Sequence, residues 1–285
     1  MPPTLGPVAA TFIDDPADPR VADFRRLNDT GFRRAVEAPG PFHKGLFVVE
    51  GWLGVERLLP SRYPVRAVLV DATKVERVDD LVGRRSVAVL AAARDVLDEI
   101  VGFPLHRGVV AVAERGLPQL STTVVGRGRR LVVTEGVNDA ENLGAIIRNA
   151  VALGGDGLLL DPTSCDPLTR RTVRVSVGHA LTLPFARLAW PEGIANLRDA
   201  GVRTYALTPR PDAVDIADIE VDPDGRVALL VGAEGPGLGD ATIEAADVAV
   251  RIGMARGVDS LNVASATAIA AHRLFSVPGS GSRTR

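Results

Sequence analysis

The chain has 285 residues, 46% of them hydrophobic and 24% charged, with a formal net charge of −2 at pH 7. That length and balance fit a globular protein of two packed domains. No apolar run approaches the roughly 18 residues that span a bilayer, and the start MPPTLGPVAATFIDDPADPR lacks a basic region followed by an apolar core, so the expectation is a cytoplasmic protein without a membrane span. A slightly negative chain offers no overall attraction to nucleic acid, which leaves any such contact to local basic clusters. Cys165 is the sole cysteine, and His43, His106, His179 and His272 are scattered, so neither a disulfide nor a metal site is expected.

In chain order, residues 1–45 hold four prolines before Arg20 and a helix-like run from Val21 to Val36, and read as a partly ordered extension. Residues 46–116 alternate short β-rich runs (LFVVEG, VRAVLV, SVAVL, GVVAVA) with helix-like ones (GVERLLPS, AARDVLDEIVG), a small α/β unit. Residues 117–130 mix a proline, polar residues and a Gly/Arg run, the composition of a linker. From 131 to 276 the alternation becomes regular. Strands are expected at Leu131–Thr134, Leu158–Leu160, Leu183–Leu188, Thr204–Leu207, Val227–Val231 and Val248–Ile252. Helices are expected from Asn142, around Thr172, from Pro191, at Ala241–Ala246 and from Asn262. Such alternation predicts a parallel sheet covered on both faces. Residues 277–285 read as a disordered tail.

Three segments of this second half place polar residues where apolar strand-like runs meet helix-like ones, the position at which open α/β sheets build ligand sites. They are NLGAIIRNA (142–150), VGAEGPGLG (231–239) and SLNVASATA (260–268). A dinucleotide-binding domain is excluded, because the first strand runs into TEGVNDAENLG rather than G-x-G-x-x-G, and no P-loop pattern occurs. The Gly-rich loop carries Glu234, an acid that suits a cofactor with a positive centre better than a phosphate. Arg148 lies beside the buried stripe Leu143, Ile146, Ile147, Ala150 of its helix, which leaves it as either a solvated arginine or a binding group. Asn142 reads as the N-cap of that helix, and Ser260 as a cap of the last one. Basic clusters at Arg25, Arg26, Arg33, Arg34 and Lys44, at Arg127, Arg129 and Arg130, and at Arg170, Arg171 and Arg174 are either solvated faces or phosphate contacts.

In order and spacing the three segments resemble the motifs of the SpoU/TrmH family of RNA ribose 2′-O-methyltransferases, in the SPOUT class, over Leu131 to about Phe275. Less specifically, 46–116 resembles the RNA substrate-binding domain that precedes the catalytic domain in many members. The resemblance implies an α/β fold whose parallel-sheet catalytic domain ends in a trefoil knot, a homodimer, and S-adenosylmethionine as cofactor. It makes Arg148, Asn142, Glu234, Ser260 and Asn262 the catalytic set, and it places backbone groups of Gly232, Ile252 and Leu261 on the cofactor. Gly253, where a proline is usual, and Asn149, where a small or hydroxyl residue often follows the arginine, depart from the pattern and are expected to affect the cofactor loop and the ribose contact. His179 replaces a small residue and reads as a packing or cleft-lining group.

The expected function is methylation of a ribose 2′-hydroxyl, in ribosomal RNA. The alternatives are a transfer-RNA methyltransferase and a non-catalytic RNA-binding or ribosome-assembly protein of the same fold.

Overall fold

A computed structural model describes residues 10–27, 45–83 and 85–275. The chain divides into two compact units, one made of Met1–Leu117 with Leu168–Thr182, the other of Pro118–Pro167 with Leu183–Arg285.

In the first unit, β1 (Thr11–Ile13), β2 (Leu46–Glu50), β3 (Val65–Asp71), β4 (Ala88–Ala92) and β5 (Val109–Glu114) form a five-stranded sheet in the order β1-β4-β3-β5-β2. Strands β1, β4 and β3 run parallel, and β5 runs antiparallel to both β3 and β2. Helices α1 (Trp52–Leu58), α2 (Val75–Val82) and α3 (Arg94–Val101) follow β2, β3 and β4. The extension is more than a tail. Thr11–Ile13 pairs with β4, and Ile13, Val21, Phe24 and Leu27 enter the core with Leu69, Leu97 and Val110, so burial of a short apolar stripe orders it. Of the helix expected from Val21 to Val36, the described part is a 3-10 turn, Pro19–Phe24, ended by the extended backbone of Arg25; residues 28–44 lie outside the described residues.

The second unit begins with α4 (Ser121–Arg127), inside the stretch read as a linker. Its Val124 and Val125 are buried in this unit's core, an i, i+1 apolar pair too short to signal a helix against the surrounding Gly and Pro. Then come β6 (Arg130–Glu135), α5 (Ala140–Ala152) and β7 (Gly157–Leu160). Helix α6 (Arg170–Val175), expected in the catalytic alternation, lies in the segment that belongs to the first unit, where the Arg57 guanidinium donates to the Val177 carbonyl. The second unit resumes with β8 (Phe185–Arg187), α7 (Gly193–Asp199), β9 (Val202–Leu207), β10 (Val214–Asp215), β11 (Arg226–Gly232), α8 (Asp240–Ala245), β12 (Val248–Arg251) and α9 (Val263–Leu274).

Its seven strands are all parallel, in the order β10-β12-β9-β11-β6-β7-β8. The central strands are continuous apolar runs (LVVT, GLLL, VALLV) with every residue buried, as a sheet covered on both faces requires. Parallel strands leave their carboxyl ends on one edge, so the loops after β6, β9, β11 and β12 gather there. Among the described residues no helix is long and apolar enough to cross a membrane.

Candidate functional site

Helix α5 starts one residue after Asp139, whose carboxylate accepts from the backbone N–H of Glu141 and Asn142, both at 2.8 Å. Asp139 is therefore the N-cap and Asn142 is not. The pattern Asp-Ala-Glu, an N-cap acid followed by an acid in the first turn, carried that signal. Freed from capping, Asn142 bridges two other loops. Its Nδ2 donates to Glu234 Oε2 at 2.9 Å, and its Oδ1 accepts from Asn262 Nδ2 at 2.9 Å. The polarity of this chain is fixed at one end, because Asn262 Oδ1 caps α9 by accepting from Ala264 N and Ser265 N at 3.0 and 3.3 Å, leaving its amide nitrogen to donate. Asn262, rather than Ser260, is thus the cap of the last helix. The arrangement joins one residue from each of the three motifs.

Beside it opens a cleft of about 770 Å³, counting the part open to solvent, with Gly232, Glu234, Ile252, Ser260 and Leu261 on its walls. Leu207, Val231 and Val263 make the walls largely apolar. Gly232 permits the loop to fold back. A Cβ there would lie 2.0 Å from the Gly237 carbonyl carbon, and the Ala233–Gly237 bridge closes the turn. The loop's far end is held by Glu135, which accepts from Gly239 N at 3.0 Å and from Trp190 Nε1 at 3.1 Å.

A buried carboxylate supports the loop that enters α5. Asp161 Oδ1 accepts from Gly136 N (3.0 Å), Ser164 N (2.8 Å) and Ser164 Oγ (2.5 Å), while Oδ2 accepts from Thr163 N at 3.0 Å. Burial alone would push its pKa up, but the hydrogen bonds from Ser164, Thr163 and Gly136 outweigh that and hold it below the ordinary carboxylate value. Glu135, Asp161, Ser164 and Trp190 escaped the sequence reading, since partners 25 to 104 positions apart leave no local pattern.

Arg148 is exposed on α5, six residues beyond Asn142, and makes no hydrogen bond or ion pair among the described residues. Six residues are about 600° of helix, so it faces away from the Asn142 side. Glu234 consequently pairs with Asn142 and not with Arg148. Asn149, seven residues from Asn142 and on the same face, donates to the Ala264 carbonyl at 3.0 Å. Its role is to tie α5 to α9, which corrects the expected ribose contact. The small residues of α9 serve that approach too, with Val263, Ala264, Thr267 and Ala271 buried and Ile269 exposed. Two of the basic clusters are spent on structure. Arg25 donates to the carbonyls of Pro16 and Asp18, Arg129 to Asp224 O (2.6 Å), and Arg130 to Pro223 O (2.9 Å) and Gly225 O. Arg170 lies 4.5 Å over the Phe103 ring, while Arg33, Arg34 and Lys44 lie outside the described residues. His179 is half-buried in the first unit.

The profile of the SpoU rRNA Methylase family matches residues 129–272, the stretch that supplies every residue of this site. The chain belongs to that family. An uncharacterized tRNA/rRNA methyltransferase of Mycobacterium bovis is 46% identical over 262 residues, covering 90% of this chain and 89% of the relative. The 23S rRNA (adenosine(1067)-2′-O)-methyltransferase of Streptomyces azureus is 30% identical, covering 68% of this chain and 71% of the relative. Among solved structures, the AdoMet-bound rRNA methyltransferase from Sinorhizobium meliloti superposes with a TM-score of 0.77 at 28% identity, covering 93% of this chain and 97% of that one. The SpoU methyltransferase AviRb from Streptomyces viridochromogenes, in complex with AdoMet, gives 0.74 at 26% identity, covering 90% and 98%.

Proposed function

We propose that this SpoU-family chain transfers a methyl group from S-adenosylmethionine to the 2′-hydroxyl of a ribose in ribosomal RNA. The observation that carries the reading is the hydrogen-bonded chain Glu234–Asn142–Asn262, which binds the three motif loops together at the mouth of the cleft. The residues present fit the cofactor. The walls are apolar enough for an adenosine moiety, Gly232 leaves room for close approach of the backbone, and the exposed carboxylate of Glu234 suits a cation. When bound, the cofactor supplies a methyl group on a cationic sulfonium, already activated for displacement.

The chain's own residues then do the positioning. Backbone groups of Gly232, Ile252 and Leu261 hold the adenosine, and Asn142 orients Glu234 by occupying one of its oxygens and leaving the other for a positive centre. Arg148, with no partner of its own among the described residues, binds an RNA phosphate and lowers the cost of the developing alkoxide. Its pKa above roughly 12 disqualifies it as a free base, so the hydroxyl proton leaves to a phosphate oxygen or water. Ser260 and Asn262 contact substrate or cofactor from the opposite loop. The reading includes a trefoil knot in the loops around the cleft, a homodimer formed beside it, RNA recognition by residues 46–116, and action in the cytoplasm. Gly253, for its part, loosens the loop before Met254.

The test is transfer in vitro. Purified protein is incubated with methyl-labelled S-adenosylmethionine and ribosomal RNA from cells lacking it, and the label is mapped by nuclease digestion and mass spectrometry. One ribose-methylated, alkali-resistant dinucleotide is the expected product. RNA binding without transfer would overturn the reading in favour of a non-catalytic assembly protein, and label on transfer RNA alone would replace the substrate.

A further inference from the structure

The first unit has its own chemical edge, which the motifs do not touch. Strands β2, β3 and β4 end, and β5 begins, at one end of the sheet, where Gly51 N donates to Val109 O (3.0 Å) and Asp71 N donates to Gly108 O (2.9 Å). The loops so joined carry Trp52, Lys74, Arg77 and Arg107. Trp52 is half-buried and its Nε1 donates to the Arg107 carbonyl at 2.9 Å, which fixes the indole. The Arg77 guanidinium lies 4.1 Å over that ring. Lys74 Nζ lies 3.5 Å from the same Arg107 carbonyl. The Arg107 side chain runs over Gly51, so close that a Cβ there would lie 2.7 Å from its Cδ.

None of these three cations makes an ion pair within 4.0 Å among the described residues, although a chain with more acids than bases has many carboxylates to offer. Asp71, the nearest buried acid, is committed to Thr73 N (3.0 Å) and Thr73 Oγ1 (2.7 Å) and faces Arg94 at 3.8 Å. Glu76 and Asp95 are exposed on the adjoining helices. Long cationic side chains kept without partners around a fixed aromatic ring match what a nucleic acid backbone needs. A guanidinium held flat on an indole also offers a plane on which an unpaired base stacks.

We propose that this edge is the RNA-docking surface of the first unit, where Lys74 and Arg107 grip phosphates of a looped segment and a base stacks on the Trp52–Arg77 pair. The inference rests on the methyltransferase reading and adds the place where the first unit meets its substrate. A duplex is the poorer fit, since its bases are not free to stack.

The experiment uses full-length protein and deproteinised ribosomal RNA from cells lacking it. Filter binding is measured against salt for the wild type and for Lys74→Gln, Arg77→Gln and Arg107→Gln combined. The side chains removed hold no buried contact, and the Arg107 carbonyl that anchors Trp52 is retained. Affinity should fall at least about tenfold, and the salt slope should shrink by about 2, at roughly 0.7 per lost single-strand phosphate contact. Calorimetric S-adenosylmethionine affinity should stay at the wild-type value. Arg77→Lys alone should keep the slope yet weaken binding severalfold, because charge survives and the plane does not. The control pair Arg62→Gln and Arg85→Gln, exposed elsewhere in the unit, should change neither quantity. Wild-type affinity and slope in the triple variant, or an equal loss in the control, would overturn the docking surface while leaving the methyltransferase reading intact. Failure of the wild type to methylate the RNA would instead remove that reading and this inference with it.

Discussion

Replacing Gly232 by alanine should abolish cofactor binding at a modest cost in stability. The added Cβ would lie 2.0 Å from the Gly237 carbonyl carbon, 2.2 Å from its oxygen and 2.3 Å from Leu238 N. These are backbone atoms, which cannot swing aside as a side chain does. Ordinary contact begins at 3.4 Å, so the Gly237–Leu238 backbone must retreat by about 1.4 Å (3.4 − 2.0). That backbone closes the loop on which Glu234 sits, and both Gly232 and Gly237 line the cleft. Overpacking of this kind costs about 1–3 kcal/mol, a fall in Tm of roughly 5 °C for a unit this size. A displacement of more than about 1 Å in a positioning loop costs on the order of a hundredfold, about 3 kcal/mol. The assay is calorimetric titration with S-adenosylmethionine alongside thermal unfolding. Gly201→Ala is the control. It has a left-handed φ of +72° and open space around it, at the start of the strand whose far end, Leu207, lines the cleft. That variant should lose comparable stability through backbone strain alone, about 1–2 kcal/mol, and bind the cofactor normally. A Gly232→Ala protein that binds within threefold of the wild type would refute the argument that this close approach shapes the site.

Asn142→Asp sets a second carboxylate 2.9 Å from Glu234 and removes a charge-assisted hydrogen bond, at a combined cost of about 2–4 kcal/mol in a partly exposed site. The two acids share a proton as pH falls, so cofactor affinity measured from pH 8 to pH 5 should recover toward the acid end, and a flat profile would count against the pairing. Arg148→Ala should lower the methyl-transfer rate by about a hundredfold or more with S-adenosylmethionine affinity unchanged; loss of the cofactor instead would move Arg148 to the other side of the site. Because the folded pKa of Asp161 lies below its unfolded value of about 3.9, its contribution is complete above that value and is lost as pH falls through the folded one. The stability gap between the wild type and Asp161→Asn in urea melts should therefore narrow below about pH 4, and a gap that widens there would contradict the assignment.

Much of the second unit was legible in the chain because parallel strands buried on both faces must be unbroken apolar runs. Leu131–Thr134, Leu158–Leu160 and Val227–Val231 announce themselves as such, and Val263–Leu274 follows a capping Asn262. The resemblance carried by the three motifs likewise marked Asn142, Glu234 and Asn262 before any contact was known. Periodicity and spacing act over a few residues, however, and the remaining features arise from pairings across the fold. Thr11–Ile13 is a strand only because β4 offers an edge, and Ser121–Arg127 is a helix because two valines find a core. Whether Asn142 caps its helix or reaches Glu234 turned on Asp139 taking the cap first, which left its amide for a partner 92 positions away. Glu135 and Asp161 hold loops whose donors are distant in sequence, and Trp52, Arg77 and Arg107 meet where three strand ends share an edge. Sequence determined the runs and the chemistry available to them. Only the tertiary fold decided which polar groups spend themselves on one another and which remain free to bind.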